Sequence, residues 1–288
     1  MKRIFFLLIV IVGLYLVFNR SFHFPVMQAS KTDGTAAITK QTEVISVDVA
    51  NVSTTIIPED RPNLKAVYNG KQKLSVKENG DAIKVSVKGK WFHWFNWLSF
   101  SEKNKLIIYI PENYDQNMKI DLGSGNVNFS GESRTNPMKL NELSIDIGSG
   151  NMKLKNLEVK QFEHDGASGN VNVNSLKAER SSFDLGSGNV DIQHYVGAIK
   201  ADVASGELDI QMDQLTDSIQ LDLSSGNIKL DLPKSADFTM KGDVSSGNIS
   251  CNFPLKSKEI NKGSINGRHG SGKHLIQLDV SSGNIHIF

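Results

Sequence analysis

The sequence predicts an all-β protein folded as a parallel β-helix, or β-solenoid, of about eight coils. Three observations carry the prediction. A six-residue phrase of the form Asp-x-Gly/Ala/Ser-Ser-Gly-Asn/Glu occurs eight times; counted between second glycines, its copies are 25, 19, 19, 18, 20, 21 and 36 residues apart; and apolar and polar residues alternate on both sides of it. A period near twenty residues is typical of a solenoid, and alternation with period two is typical of strands.

The phrase itself is predicted to form a corner between two strands. Alternation precedes the sixth copy at 219–223 and resumes after it at 228–230. Glycine and asparagine suit a turn that needs a positive φ. Each repeat of 18–25 residues is therefore expected to be strand, corner, strand and connector. Stacked at a spacing of roughly 4.8 Å, eight such coils would make a rod roughly 40 Å long with an apolar core.

Global composition narrows the class of function. The chain has 288 residues, 22% of them charged, a formal net charge of +1 and a single cysteine, Cys251. This charge balance argues against a nucleic-acid partner, because such proteins carry a clear basic excess. Cys251 can form no intramolecular disulfide and is interpreted as a small core residue.

The N-terminus is predicted to be one transmembrane helix over residues 1–20. Lys2 and Arg3 precede a fifteen-residue apolar run, 4–18. A secretory signal peptide is the alternative, but no small-residue cleavage site follows closely, so an uncleaved anchor is favoured. The two basic residues place the short N-terminus in the cytoplasm. We therefore expect a single-pass protein of the cell membrane with its body on the extracytoplasmic side.

Three further regions follow the anchor. Residues 21–42 have no period and are expected to be a flexible tether. Residues 43–115 are expected to form an irregular β cap with a degenerate first coil, and their Asn69-Gly70 and Asn79-Gly80 pairs indicate hairpins. Residues 116–288 hold the repeats, with an insertion at 252–274. Because the chain ends one strand past the last phrase, the last coil should be exposed unless this insertion covers it.

An aspartate begins every phrase and is predicted to face outward, forming a ladder. Neighbouring carboxylates about 4.8 Å apart repel by roughly 1 kcal/mol in water. Calcium between coils would relieve this, as in nonapeptide β-rolls, although those repeats are shorter and richer in aspartate. The favoured interpretation is that each carboxylate accepts hydrogen bonds from the amides of its own turn. The ladder comprises Asp121, Asp146, Asp165, Asp184, Asp202, Asp222, Asp243 and Asp279.

No enzyme is predicted, and neither catalytic residues nor a cofactor are expected. The Gly-Ser-Gly corners lack the third glycine and the following helix of a dinucleotide loop. The seven histidines are scattered, and His164 has the parity of an inward-facing residue. Acidic residues are spread one per coil, whereas a glycan-active β-helix enzyme, the less favoured alternative, gathers them in one groove.

All three tryptophans, Trp91, Trp94 and Trp97, lie in one segment, 90–100. One hypothesis is a bulky plug over the first coil. A second is a loop at the lipid headgroups, since tryptophan with flanking lysine suits that zone. A third is a stacking site for a sugar or a lipid-linked ligand.

The residues also resemble a known family. The short N-terminal anchor, the opening strands at 44–57 followed by Pro58, the strand 106–111 and the repeated corners are similar to the bacterial "putative adhesin" β-repeat family. The resemblance implies an extracytoplasmic protein with no agreed activity, and it extends to membrane-anchored members linked to cell-envelope stress. The expected function is a non-catalytic interaction scaffold whose partners are the membrane and envelope-stress membrane proteins. The alternative is an adhesin-like binding module for cell-wall polymer or lipid.

Overall fold

The structure, a computed structural model, describes residues 30–88, 104–261 and 263–288. The predicted transmembrane helix, the first part of the predicted tether and the tryptophan segment lie outside these residues. Among the described residues, no helix has the length and apolar character needed to cross a bilayer.

The described residues form strands joined by turns, as the alternating pattern predicts. In chain order the strands are β1 (Ser30–Ala37), β2 (Val44–Val49), β3 (Val52–Glu59), β4 (Asn63–Gly70), β5 (Lys73–Asn79), β6 (Ala82–Lys88), β7 (Lys105–Pro111), β8 (Asn117–Leu122), β9 (Gly125–Ser130), β10 (Met138–Ile147), β11 (Asn151–Gly166), β12 (Asn170–Leu185), β13 (Asn189–Val203), β14 (Glu207–Gln214), β15 (Ile219–Leu223), β16 (Asn227–Asp231), β17 (Phe238–Val244), β18 (Asn248–Cys251), β19 (Lys256–Asn261), β20 (Ser264–His269), β21 (His274–Val280) and β22 (Asn284–Ile287).

These strands build a parallel solenoid with two main faces. The first face carries the strands that precede each corner, stacked in the order β6, β2, β8, β10, β11, β12, β13, β15, β21 and β17. The second face carries the strands that follow, in the order β7, β3, β9, β11, β12, β13, β14, β16, β22 and β18. The predicted solenoid is confirmed. Counted along either face, the described residues stack in ten levels; eight come from the phrase repeats.

The stacking order departs from the chain order at both ends. Near the C-terminus, β21 lies between β15 and β17, and β22 lies between β16 and β18. Near the N-terminus, β2 lies between β6 and β8. The last coil of the chain is therefore interior to the stack. The expectation was that it would be the terminal coil, exposed unless the insertion covered it. Its terminal position was wrong, because the chain passes outward to the end level and then returns.

Antiparallel strands close both ends of the stack. At the C-terminal end, β20 pairs with β17 and β19 pairs with β20, so both strands come from the insertion at 252–274. At the N-terminal end, β5 pairs with β6, β4 with β7, and β1 with β4. The outermost strand β19 carries Lys256, Lys258 and Glu259. Charged residues on an edge strand disfavour pairing with another molecule.

Two expectations for the N-terminal region need correction. Residues 30–37, predicted to belong to a flexible tether, form β1 and pair along their whole length with β4. Their sequence contains Gly34 and has no alternation of apolar and polar residues, so it does not predict a strand. β1 packs closely against β5, because a Cβ on Gly34 would come within 2.7 Å of Val76. Asn69-Gly70 does not make a hairpin, because β4 and β5 enter different faces. Asn79-Gly80 does, between β5 and β6, with Gly80 at φ 64°.

A second corner, which the sequence did not reveal, turns the middle coils onto a short third face. Asn156, Ser175 and His194 are in register with one another in three successive coils. Their φ values are 54°, 69° and 61°. The left-handed region is tolerated by Asn and is uncommon for other residues, so no shared residue type marks this corner. Beyond it the buried Tyr195 hydroxyl donates to the Ala198 carbonyl and pairs with Ser181 Oγ, each at 2.7 Å.

The glycines of the phrase have a different role from the one predicted. Only Gly125, among the second glycines, has a positive φ. The others are needed because the coils approach closely: a Cβ on Gly188 would overlap the carbonyl oxygen of Gly169 in the neighbouring coil. The requirement comes from stacking between coils rather than from the conformation of a single turn.

We expect Gly188→Ala to lower the free energy of unfolding by about 2 kcal/mol, because the coils must separate to admit the methyl group. The control is Gly123→Ala, at another corner, where the nearest atom to the added Cβ is the Ala50 Cβ at 3.4 Å. Urea unfolding of both variants checks the prediction. Equal destabilisation by the two substitutions would contradict it.

Candidate functional site

The predicted aspartate ladder is present and in register. Each phrase aspartate lies opposite the next along the stack, in the order Asp121, Asp146, Asp165, Asp184, Asp202, Asp222, Asp279 and Asp243. A ninth, Asp48, extends the row beyond Asp121. All of the phrase aspartates are exposed except Asp222, which is half-buried and accepts a hydrogen bond from Gln220 Nε2 at 3.1 Å.

The prediction that each phrase carboxylate accepts hydrogen bonds from the amides of its own turn is wrong. The corner amides donate to carbonyls of the neighbouring coil, for example Ser149 N to Gly123 O at 3.1 Å and Ser187 N to Ala167 O at 2.8 Å. Stacking of the corners thus satisfies the amides that an isolated turn would have offered to its aspartate. The ladder carboxylates are left to project into solvent.

The aspartate ladder was also considered as a calcium site, and its charge needs compensation in either case. Within the described ranges, no group of three or more His, Cys, Asp or Glu side chains could hold a metal ion. Lysines compensate charge at the N-terminal end, where Asp48 pairs with Lys84 at 3.0 Å and Lys88 at 3.5 Å. Partial burial raises the pKa of Asp48, but the hydrogen bond and charge of Lys84, with Lys88, outweigh it and hold the pKa below its ordinary value.

The asparagines of the phrase form a second ladder whose side chains bond to one another. Asn151 Nδ2 donates to Asn126 Oδ1 at 3.2 Å, and the same contact recurs from Asn170 to Asn151 and from Asn189 to Asn170. Serine hydroxyls of the corners donate to carbonyls of the neighbouring coil. The corner edge is therefore a fixed row of amide groups, each with further hydrogen-bonding capacity directed at solvent.

One coil departs from this row and forms a charged cluster. Glu207 replaces the asparagine, and its carboxylate binds Lys229 Nζ at 2.7 Å, with Asp209 3.6 Å from the same ammonium. Asp191 is next to Asp209 in register, and partial burial followed by the Asp209 charge raises the pKa of Asp191. The isolated Glu in the repeat was the only sequence signal for this cluster.

A second charged cluster links distant coils and had no sequence signal. Arg134, in the loop between β9 and β10, binds Asp213 at 2.6 Å, and Asp213 also contacts His194 Nδ1 at 2.9 Å. Partial burial raises the pKa of Asp213, but His194 and Arg134 outweigh this and hold it below its ordinary value. Because 79 residues separate Arg134 from Asp213, their contact could not be foreseen from spacing.

The candidate reactive side chains are in the core. His164 is 4% exposed, its Nδ1 has no hydrogen-bond partner, and burial lowers its pKa to about 4. Cys251 is half-buried against the core, and burial raises the pKa of its thiol. Neither side chain is placed for chemistry at the surface. Trp91, Trp94 and Trp97 lie outside the described residues.

Comparisons with known proteins give matches among solved structures but no significant match among curated proteins. Among solved structures, a protein of Bacteroides fragilis described as a "putative adhesin" aligns over 91% of this chain and 99% of its own, at 16% identity and a TM-score of 0.51. A protein of Parabacteroides distasonis described as a "putative lipid binding protein" aligns over 90% and 97%, at 16% identity and a TM-score of 0.47.

A comparison with protein-family models identifies the chain more directly. The model described as Toastrack DUF4097 matches residues 42–288, a range that begins just before β2 and ends at the last residue. It therefore spans all ten levels and the caps that follow β1. By this match the chain belongs to the Toastrack DUF4097 family.

Proposed function

We propose that this protein is a non-catalytic, membrane-anchored scaffold on the extracytoplasmic side of the cell envelope, and that the solenoid is its binding surface. The observation that carries the proposal is the corner edge, where asparagine side chains are hydrogen-bonded to each other from coil to coil. Solenoids present extended surfaces of this kind to elongated partners. A row of ordered amides binds without rearranging, which lowers the entropic cost of association.

The alternative to a protein partner of this surface is cell-wall polymer or lipid. A surface that repeats at about 4.8 Å suits a polymer with its own repeat, such as cell-wall polymer. The compared protein described as a "putative adhesin" has the same fold, which makes an adhesin-like binding module for wall polymer or lipid the alternative. A glycan-active enzyme is disfavoured, because the phrase carboxylates are spread along a ladder.

The finer proposal concerns the cellular role. The apolar run at 4–18 ahead of the body, together with the corners, resembles the LiaG-like proteins of the Lia cell-envelope stress operon. On this proposal the body lies outside a membrane that residues 1–20 span, and its partners are membrane proteins of that stress response. No cofactor or metal takes part.

The test is photo-crosslinking of the full-length protein in intact cells, with and without an envelope-active antibiotic. The crosslinker is placed at Asn172 on the second face and at Lys200 on the first, both exposed, with Lys258 on the cap strand β19 as the control position. We expect a product from a solenoid face that is absent from the control. Capture of a membrane protein supports the scaffold, and capture of wall polymer or lipid supports the binding module. Identical products at all three positions would contradict both.

A further inference from the structure

We propose that a groove at the N-terminal end of the second face binds the phosphate headgroups of anionic membrane lipids. The groove is open to solvent and has a volume of about 550 Å³ on the outer side of β1, β4, β7 and β3. The inference rests on the proposed membrane anchor but concerns a different surface from the asparagine ladder. Its lining residues are Lys31, Glu59, Arg61, Lys65, Val67, Asn69, Lys105, Ile107 and Tyr109.

The pairing register places the cations around an apolar floor. Lys31 and Lys105 lie in one row across the strands, both opposite Asn69. Two residues further along, Val67 lies opposite Ile107, and beyond them Lys65 lies opposite Tyr109. Lysine ammonium groups therefore stand on both sides of half-buried apolar side chains.

The groove carries a net positive charge. The lining contains four cations and one carboxylate, a net charge of +3, against a formal net charge of +1 for the whole chain. Asp33, which shares the outer side of β1 but is not part of the lining, would reduce the local value to +2. Within the part of the chain that the structure describes, Lys31, Lys65 and Lys105 form no ion pair, so no described carboxylate neutralises these three ammonium groups.

Arg61 is held in place by its neighbours. Its guanidinium pairs with Glu59 at 2.9 Å, donates from Nε to the Asn63 carbonyl at 2.7 Å, and lies 5.5 Å from the centre of the Tyr109 ring. An ordered guanidinium beside lysine ammonium groups suits phosphate oxygens, which accept several charge-assisted hydrogen bonds. The floor of Val67, Ile107 and Tyr109 suits the apolar part of a lipid that follows the headgroup.

The position of the groove favours a membrane as the source of the phosphate. β1 begins at Ser30, and Lys31 is its second residue. The apolar run ends at Phe18, so eleven residues, 19–29, separate the proposed anchor from the groove. Eleven residues span at most about 40 Å when fully extended. The anchor thus keeps the groove close to the lipid surface, where each basic residue contributes attraction to anionic lipid.

The test uses full-length protein in lipid nanodiscs made of phosphatidylcholine alone or with about 30% phosphatidylglycerol. Lysine acetylation is followed by mass spectrometry at Lys65 and at the exposed Lys153, which lies on the second face away from the groove. We expect acetylation of Lys65 to fall about fivefold in the anionic discs only, and acetylation of Lys153 to stay unchanged. The variant Lys31→Gln/Lys105→Gln should remove most of the protection of Lys65; the control variant Lys200→Gln should not.

Insertion into the discs is scored separately and tests the anchor. Protection of Lys65 without insertion would support lipid binding by the groove and contradict the membrane anchor. Insertion with equal acetylation of Lys65 in both discs would contradict lipid binding by the groove and support the anchor. Protection by inorganic phosphate in neutral discs, to the same extent as by phosphatidylglycerol, would identify a free-anion site and overturn the membrane assignment.

Discussion

Removal of residues 274–288 is expected to unfold the C-terminal end of the solenoid, including residues 238–251, which remain in the chain. These fifteen residues form β21 and β22, the level that separates β15 and β16 from β17 and β18. They contribute five side chains that are at most 1% exposed: Ile276, Leu278, Val280, Ile285 and Ile287. Burial of each such side chain is worth about 2 kcal/mol, so about 10 kcal/mol of apolar burial is lost before any rearrangement.

Hydrogen exchange at 238–251 distinguishes the observed stacking order from a sequential one. If the coils stacked in chain order, residues 274–288 would be the terminal level, and their removal would leave 238–251 protected on β15 and β16. In the observed order, β18 loses the strand to which it bonds, and β17 keeps only the antiparallel strand β20, so their amides should exchange much faster than in the intact protein. Retained protection there would mean either that the coils stack in chain order or that 238–251 stacks directly on β15 and β16 once β21 and β22 are gone.

Point variants on β21 provide matched controls for the truncation. Leu278 faces the core and Gln277, beside it, is exposed. We expect Leu278→Ala to cost about 3 kcal/mol and Gln277→Ala less than about 0.5 kcal/mol. Local unfolding of 238–251 in the first variant but not in the second would show that the interior level holds the end level in place.

The stacking order at the C-terminal end could not be predicted from the sequence. The repeat, the two strands per coil and the inward parity all follow from a period of two within a period near twenty. The last two copies of the phrase, however, are both Asp-Val-Ser-Ser-Gly-Asn, at Asp243 and Asp279. Either copy fits the register of β15, so local sequence cannot decide which of them stacks on it. The only signal was the 36-residue step, which is long enough to reach the end level and return.

The candidate surfaces were predictable to the extent that they repeat. The aspartate ladder was predicted residue by residue and lies in register, but its hydrogen bonding was not, since amides of a stacked corner bond to the next coil. The groove is different. Its lining combines residues from Lys31 to Tyr109 that no motif connects, and the strand β1 that closes it has no apolar alternation. Only the antiparallel pairing of β1 and β4 brings these residues together.

His164 occupies an inward position that apolar residues fill in the neighbouring coils. It lies between Ile145 and Phe183 in register, with its ring 6.4 Å from that of Phe183. Gly166, where the adjacent coils have Ile147 and Leu185, leaves the space for the imidazole: a Cβ there would be 2.8 Å from His164 Nε2. The two departures from the repeat, at 164 and 166, therefore belong together. The imidazole of His164 fills core space that the side chain of a larger residue at 166 would occupy.

This buried imidazole should make the protein less stable in mild acid. Burial lowers the pKa of His164 from its ordinary 6.5 to about 4, with a smaller opposing effect of Asp165 and the Ile145 backbone. Between these values the unfolded chain binds a proton that the folded protein does not. The free energy of unfolding therefore has its full value above pH 6.5 and falls as the pH drops towards 4. Below pH 4 it is lower by about 3 kcal/mol.

The variant His164→Phe should remove this pH dependence, because it keeps an aromatic ring in the core and cannot bind a proton. Asp48 and Asp213, whose pKa values are held low, lose their contributions only in stronger acid, and both are present in the variant. His286→Gln, which removes an outward-facing histidine of β22, should leave the loss intact. Urea unfolding of the three proteins at pH 7.5 and at about pH 4.5 measures the difference. If His164→Phe and the parent protein lose equal stability over this interval, the imidazole is accommodated in its charged form and its burial is not the cause.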